Sequence, residues 1–204
     1  AELADLGFDG FEMYNLHANT VIGAGGVFDL LSPQHQPEDL PHPDLVLLNI
    51  ISDDARYLDR WATVLARGNH EVTTIGTDCH QNTFPQLLAD GERIDSYRRM
   101  MAWMSNHLLV TPDGDGSWDD GQLKQALSAR RLYGVFEVMG YAEGFDFHAL
   151  EGGVEREMGA VVSLASGVRL LGQRPTVRAL DPAGPQPTER VKGPEAPWMP
   201  STTR

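Results

Sequence analysis

The feature that most constrains this chain is an order that occurs twice in its first 80 residues: a helical end, a glycine, a short apolar strand and then a polar cluster. In the first copy, Leu3 and Leu6 mark a helix end over 1–6, and Gly7 caps it. Phe11-Glu12-Met13-Tyr14 reads as a buried strand, with Asn15, Leu16, His17, Ala18 and Asn19 at its C-terminal end. In the second copy, Leu58, Trp61, Ala62 and Leu65 recur on one face of a helical period. Ser52 is placed to cap that helix, with Asp53 and Asp54 in its first turn, and Gly68 ends it. Val72-Thr73-Thr74-Ile75 is β-branched and prefers an extended backbone. Gly76 then permits a turn into Thr77-Asp78-Cys79-His80. Two such units predict an α/β fold, in which chemistry gathers at strand C-terminal ends.

The remaining segments fill in around this pair. Residues 20–32 read as a helix or loop weakened by Gly23, Gly25 and Gly26, and 32–43, with four prolines, as a loop. The apolar run 45–51 suggests a strand by length and β-branching. Ile94, Tyr97, Met101 and Met104 mark a helix, and 108–110 a short strand. Residues 113–116 and Gly121 are turn material, and a helix over 120–131 is predicted to bury Leu123, Ala126 and Leu127. From Tyr133 the texture changes to short runs separated by glycine, at 135–138, 145–147, 160–164 and 168–171, typical of antiparallel pairing. These predict a β-rich appendage over 133–180. Residues 181–204 carry six of the 13 prolines and few large apolar groups, so that tail is expected to be disordered.

Charge narrows the function classes. With 29 acidic against 16 basic residues the formal charge is -13, which argues against binding a nucleic-acid backbone. No apolar stretch approaches the length of a bilayer-crossing helix. The single cysteine, Cys79, excludes an intramolecular disulfide and a multi-cysteine zinc site. The chain opens at Ala1 inside a helix end, so its natural start is expected upstream, and no compartment is assigned.

An Asp-x-His pair just past a strand offers a metal one oxygen and one nitrogen, which makes Asp78 and His80 the leading ligand candidates. The plainer reading is an aspartate capping the next helix beside a surface histidine. Glu12 reads either as a metal-site group, bound directly or through another ligand, or as a carboxylate held by backbone donors. Asn15 and His17, past the first strand, can face the same cleft. Cys79 points away from its neighbours on an extended backbone and reads as packing. His70 precedes its strand, at the wrong rim. His35 and His42 lie in the proline-rich loop without a partner at ligand spacing. His107 is ambiguous, and His148 alternates with Asp146 on the β-rich surface. Arg130 and Arg131 complement a helix end, and Arg130 is a candidate contact for a substrate anion.

At this level the residues resemble a known pattern. Gly7-Phe8-Asp9-Gly10-Phe11-Glu12-Met13-Tyr14-Asn15 is similar to the Gly-Leu-Asp-Gly-Ile-Glu-Val-Tyr-Asn strand of the polymerase and histidinol phosphatase (PHP) superfamily. Gly76-Thr77-Asp78-Cys79-His80 resembles its late Gly-Ser/Thr-Asp-x-His metal motif, and 126–133 its Ala-Leu-x-x-Gly-Arg-x-Tyr stretch, with Ala129 where glycine is usual. The resemblance covers about residues 1–135. It implies the back half of a distorted (β/α)7 barrel spanning 1–132, with two or three divalent ions (Zn, Mn or Fe) at the strand ends. It further implies hydrolysis of small phosphorylated substrates by metal-activated water, with Asp78 on one ion and His80 on its neighbour. The family's opening His-x-His motif, its Ser-Asp-Gly, its bridging glutamate and its His-Pro have no counterpart here. Another chain or an N-terminal segment is therefore expected to complete the site; the alternative is an inactive barrel remnant serving as a structural or interaction module.

Overall fold

Both copies of the repeated order fold as strands, and the two strands pair with each other. The computed structural model describes residues 3–20, 25, 42–52 and 54–178. Strand β1 (Gly10–Asn15) follows a 3-10 turn at Leu3–Leu6, and β2 (Val72–Gly76) follows helix α2 (Ala55–Ala66). Gly7 and Gly68, one after each helical element, adopt φ of 71° and 85°, the left-handed conformation that ends a helix cleanly. β1 and β2 run parallel, with Glu12 opposite Thr74 and Asn15 opposite Gly76, and Met13 is an extra residue in a bulge between Glu12 and Tyr14. Their polar C-terminal ends therefore lie side by side. Parallel pairing needs a long crossover, and residues 16–71 supply it.

Helix α1, helical over 16–20, starts directly from β1, and Asn15 caps it by accepting from the Ala18 N–H at 2.8 Å. Helix α2 begins not at Ser52 but at Asp54, whose carboxylate accepts from the Arg56 N–H. The run 45–51 is not a strand. Pro43 fixes the first φ of a 3-10 turn, Pro43–Leu45, capped by His42, and a second turn follows at Leu48–Ile50. Val46, Leu47 and Ile50 are buried, at helical rather than alternating spacing. The segment 20–32, read as a helix or loop, the loop 32–43 with His35, and the tail 181–204 lie outside the described residues, apart from Thr20, Gly25, His42 and Pro43, as does Asp53.

The chain divides into two compact units, at 105 and 106. In the first, Leu16 packs in a core with Val46, Leu47, Ile50, Phe84, Ile94, Met100 and Trp103. Helix α3 (Tyr97–Met101), capped by Ser96, crosses the segment predicted as helical from Ile94 to Met104. Its Arg99 is fully buried and bonds to Asp44, Asp90 and Glu92, while buried Asp95 pairs with Arg93 at 2.9 Å.

The second unit pairs β3 (Ser105–Leu108) with β4 (Leu132–Val135), joined through α4 (Asp120–Ser128). A capping box between Asp119 and Gln122 starts α4. Of its predicted core residues Ala126 is buried, whereas Leu127 is 38 % exposed. Beyond β4, the runs 145–147 and 168–171 join antiparallel pairs with shifted bounds, whereas in 135–138 Val135 ends β4 and Glu137–Met139 is a 3-10 turn. β5 (Tyr141–Glu143) pairs with β9 (Thr176–Arg178), and β6 (Asp146–Glu151) lies between β7 (Val154–Arg156) and β8 (Arg169–Gln173). The run 160–164 forms no strand, and 164–166 is a 3-10 turn. No helix among the described residues is long and apolar enough to cross a membrane.

Candidate metal centre

Strand β2 delivers its polar residues through a sharp change of backbone. Asp78 adopts φ 52°, a left-handed conformation that aspartate tolerates better than most side chains. The backbone from 77 to 80 is thus not extended, so the alternation used to turn Cys79 away from its neighbours does not apply. The flip brings the Asp78 carbonyl oxygen to 2.8 Å from Nδ1 of His17, on α1. A carbonyl oxygen only accepts, so Nδ1 carries the hydrogen. Nε2 of His17 then holds the ring's free lone pair, and it is buried without a hydrogen-bond partner among the described residues.

Three ligand-type side chains converge here. His17, Asp78 and His80 each offer an atom, and these atoms lie within 4.8 Å of one another. Asp78 spreads its carboxylate between the two rings: Oδ1 is 3.9 Å from His80 Nε2 and Oδ2 is 3.9 Å from His17 Nδ1. The rings of His17 and His80 stack, with centroids 4.3 Å apart. His17 is 12 % exposed and Asp78 is 51 % exposed, so the group is walled on one side and open to solvent on the other. Around a tetrahedral ion with bonds of about 2.0–2.1 Å, ligand atoms sit roughly 3.4 Å apart. An imidazole fixed by an Nδ1–H to a backbone carbonyl, with Nε2 left open, is a common arrangement of metal-binding histidine.

The other candidates take different places. Asn15 donates from Nδ2 to Glu12 Oε2 at 2.5 Å and caps α1 with its oxygen, so the two residues are bonded to each other and, through Asn15, to the start of the helix that carries His17. Glu12 is not among the three convergent ligand groups. The thiol of Cys79 is pushed up by burial, with the Asp95 and Asp78 carboxylates adding to the effect, which disfavours the thiolate and suits a packing role. His70 is exposed on the N-terminal side of β2. Arg130 belongs to the second unit, where it follows α4 at φ 60°. His148 bonds Asp146 at 3.0 Å on the β6 surface.

The structure gives His107, ambiguous in the sequence, two polar partners. His107, 6 % exposed, places Nε2 3.1 Å from Glu137 Oε1 and Nδ1 3.3 Å from the Tyr133 hydroxyl. Its partners are 26 and 30 residues away, beyond the reach of any local pattern.

Comparison of the chain with protein-family models, with curated proteins and with solved structures finds no match.

Proposed function

We propose that the chain holds a divalent metal ion between His17, Asp78 and His80, and that this centre serves the hydrolysis of phosphate esters. The observation that supports the metal is the state of His17: Nδ1 is occupied by the Asp78 carbonyl, Nε2 is buried without a partner among the described residues, and the ring lies against the Asp78 carboxylate and the His80 imidazole. One oxygen and two nitrogens suit Zn²⁺, and also Mn²⁺ or Fe. The phosphate-ester chemistry rests on the resemblance of 7–15 and 76–80 to PHP strands.

A bound divalent ion supplies an activated water and neutralises charge on phosphoryl oxygens. The chain's own residues hold and space it. Asp78 contributes the only negative charge of the three groups, so a dication leaves the centre formally positive within an acidic protein, which favours an anionic ester. His17 and His80, once ligated, have no lone pair left for proton transfer and act as fixed supports.

Three ligands hold one ion. A second or third ion would draw its ligands from another chain or a further segment, as the resemblance implies. The competing reading, an inactive barrel remnant used for interaction, keeps the ion and lacks the turnover. Metal analysis of the purified protein tests the proposal: bound Zn, Mn or Fe is expected, and Asp78→Asn or His80→Ala lowers it. Unchanged metal content in both variants rejects these residues as ligands. Hydrolysis of p-nitrophenyl phosphate by the metal-loaded protein then separates enzyme from remnant.

A further inference from the structure

We propose that Glu12 is a positioning residue that ties the two ligand-bearing segments together; this rests on the metal reading above. In a regular strand, residues three apart point to opposite faces. The bulge at Met13 adds one residue and shifts that phase, so Glu12 and Asn15 meet on one face and bond at 2.5 Å. Asn15 holds two ends at once: Nδ2 donates to Glu12, while Oδ1 accepts from the Ala18 N–H and sets the first turn of α1, which carries His17. The other Glu12 oxygen lies across the strand pair against Gly76, two residues before Asp78, so closely that a Cβ at that position would overlap it. Gly76 is not in the left-handed region, so its lack of a side chain serves this approach rather than a turn. One carboxylate thus braces the cap that aims His17 and rests on the strand end that delivers Asp78 and His80.

A group acting through ligands leaves their number intact and changes how well they are aimed. Loss of a group bonded directly to a metal ligand lowers metal affinity about 10- to 100-fold, and that range bounds the effect of one acting through Asn15. Glutamine retains the oxygen that accepts from Asn15, so Glu12→Gln preserves the support, whereas Glu12→Ala removes it.

The test is Zn²⁺ titration of the full chain against a chromophoric chelator, with thermal unfolding of each metal-free variant recorded alongside. Glu12→Ala is expected to weaken Zn²⁺ binding about 10-fold with the stoichiometry unchanged, and Glu12→Gln to stay within about threefold of the parent. Gly76→Ala is expected to weaken binding in the parent, where it displaces the carboxylate, and to add nothing in the Glu12→Ala background. The proposal is overturned if Glu12→Ala binds like the parent, or if Glu12→Gln loses as much as Glu12→Ala, since that marks a role for the charge itself. An equal cost of Gly76→Ala in both backgrounds overturns it too. Absence of Zn²⁺ binding by the parent chain overturns the metal reading along with this one, a result distinct from the other three.

Discussion

The carbonyl oxygen of Asp78 accepts a hydrogen bond of 2.8 Å from Nδ1 of His17, 61 residues earlier in the chain. That bond fixes one tautomer, and the tautomer decides which atom of His17 can take a ligand. Truncation at His17 is therefore expected to act on metal binding. His17→Ala should weaken Zn²⁺ affinity by more than about 100-fold, beyond the range typical of groups that only support a ligand. Competition titration against a chelator measures it, and binding at the parent's affinity would remove His17 from the centre.

The acid limit of the first unit should be set by its arginine-paired carboxylates, Asp90, Glu92 and Asp95. Burial of Asp95 alone would raise its pKa, but bonds from Arg93 and from the Phe84 and Thr83 N–H groups outweigh it and hold the carboxyl below its ordinary value. Asp90 is lowered against its burial by Arg99, and Glu92 is lowered chiefly by Arg98. A folded-state pKa below the unfolded one gives stability that is present above the unfolded value and lost as pH falls through the folded one. Stability is thus expected to hold above roughly pH 4.5 and to decline below about pH 4, where unfolded carboxyls begin to take protons. Urea unfolding followed by tryptophan fluorescence across pH checks this; stability that rises on acidification would refute it.

Asp95→Ala leaves Arg93 and two backbone N–H groups without their shared acceptor. The expected cost is about 1–3 kcal/mol, mainly from the two N–H groups that lose their acceptor, since Arg93 is 28 % exposed and can turn to water. Chemical denaturation at neutral pH gives the number, and a loss under about 1 kcal/mol would show that the pair matters little.

In the second unit, the His107–Glu137 contact predicts energetic coupling. His107→Phe and Glu137→Gln should each destabilise by about 1–3 kcal/mol, and the double variant by less than their sum. A double-mutant cycle reads the coupling, and strict additivity would contradict a direct interaction.

Cys79 should react slowly. Its thiol is raised by burial first and by Asp95 and Asp78 next, so alkylation by iodoacetamide at neutral pH is expected to lag a free thiol, with the rate still climbing above pH 9. A rapid reaction at pH 7 would show an activated thiolate.

How much of this was legible in the sequence depends on how local each signal is. Val72–Gly76 and the helix ahead of it were readable because β-branching, a helical period and Gly68 all act within a few residues. The segment around 46–50 was misread: Pro43, and burial at 46, 47 and 50, mark turns, but the run's length and β-branching resemble a strand. The hairpin between β6 and β7 was visible only as texture, although Gly152 and Gly153, at φ 58° and 85°, are the residues a tight two-residue turn requires.

The site divides the same way. Asp78 and His80 were legible because an Asp-x-His pair needs no partner from afar. His17 was a candidate by position alone, and what brings it to them is the left-handed Asp78 and the parallel register of β1 and β2, neither of which a single stretch encodes. Glu12 and Asn15 were legible as polar residues near the rim. Their bond depends on the bulge at Met13, which no pattern in the strand announces.

The most direct measurement of the central claim is X-ray absorption at the zinc edge of the Zn²⁺-loaded chain. Two imidazole nitrogens and a carboxylate oxygen at about 2.0–2.2 Å from the zinc are expected, with one imidazole lost in His17→Ala. A shell of oxygens alone, or one unchanged by that substitution, would contradict it.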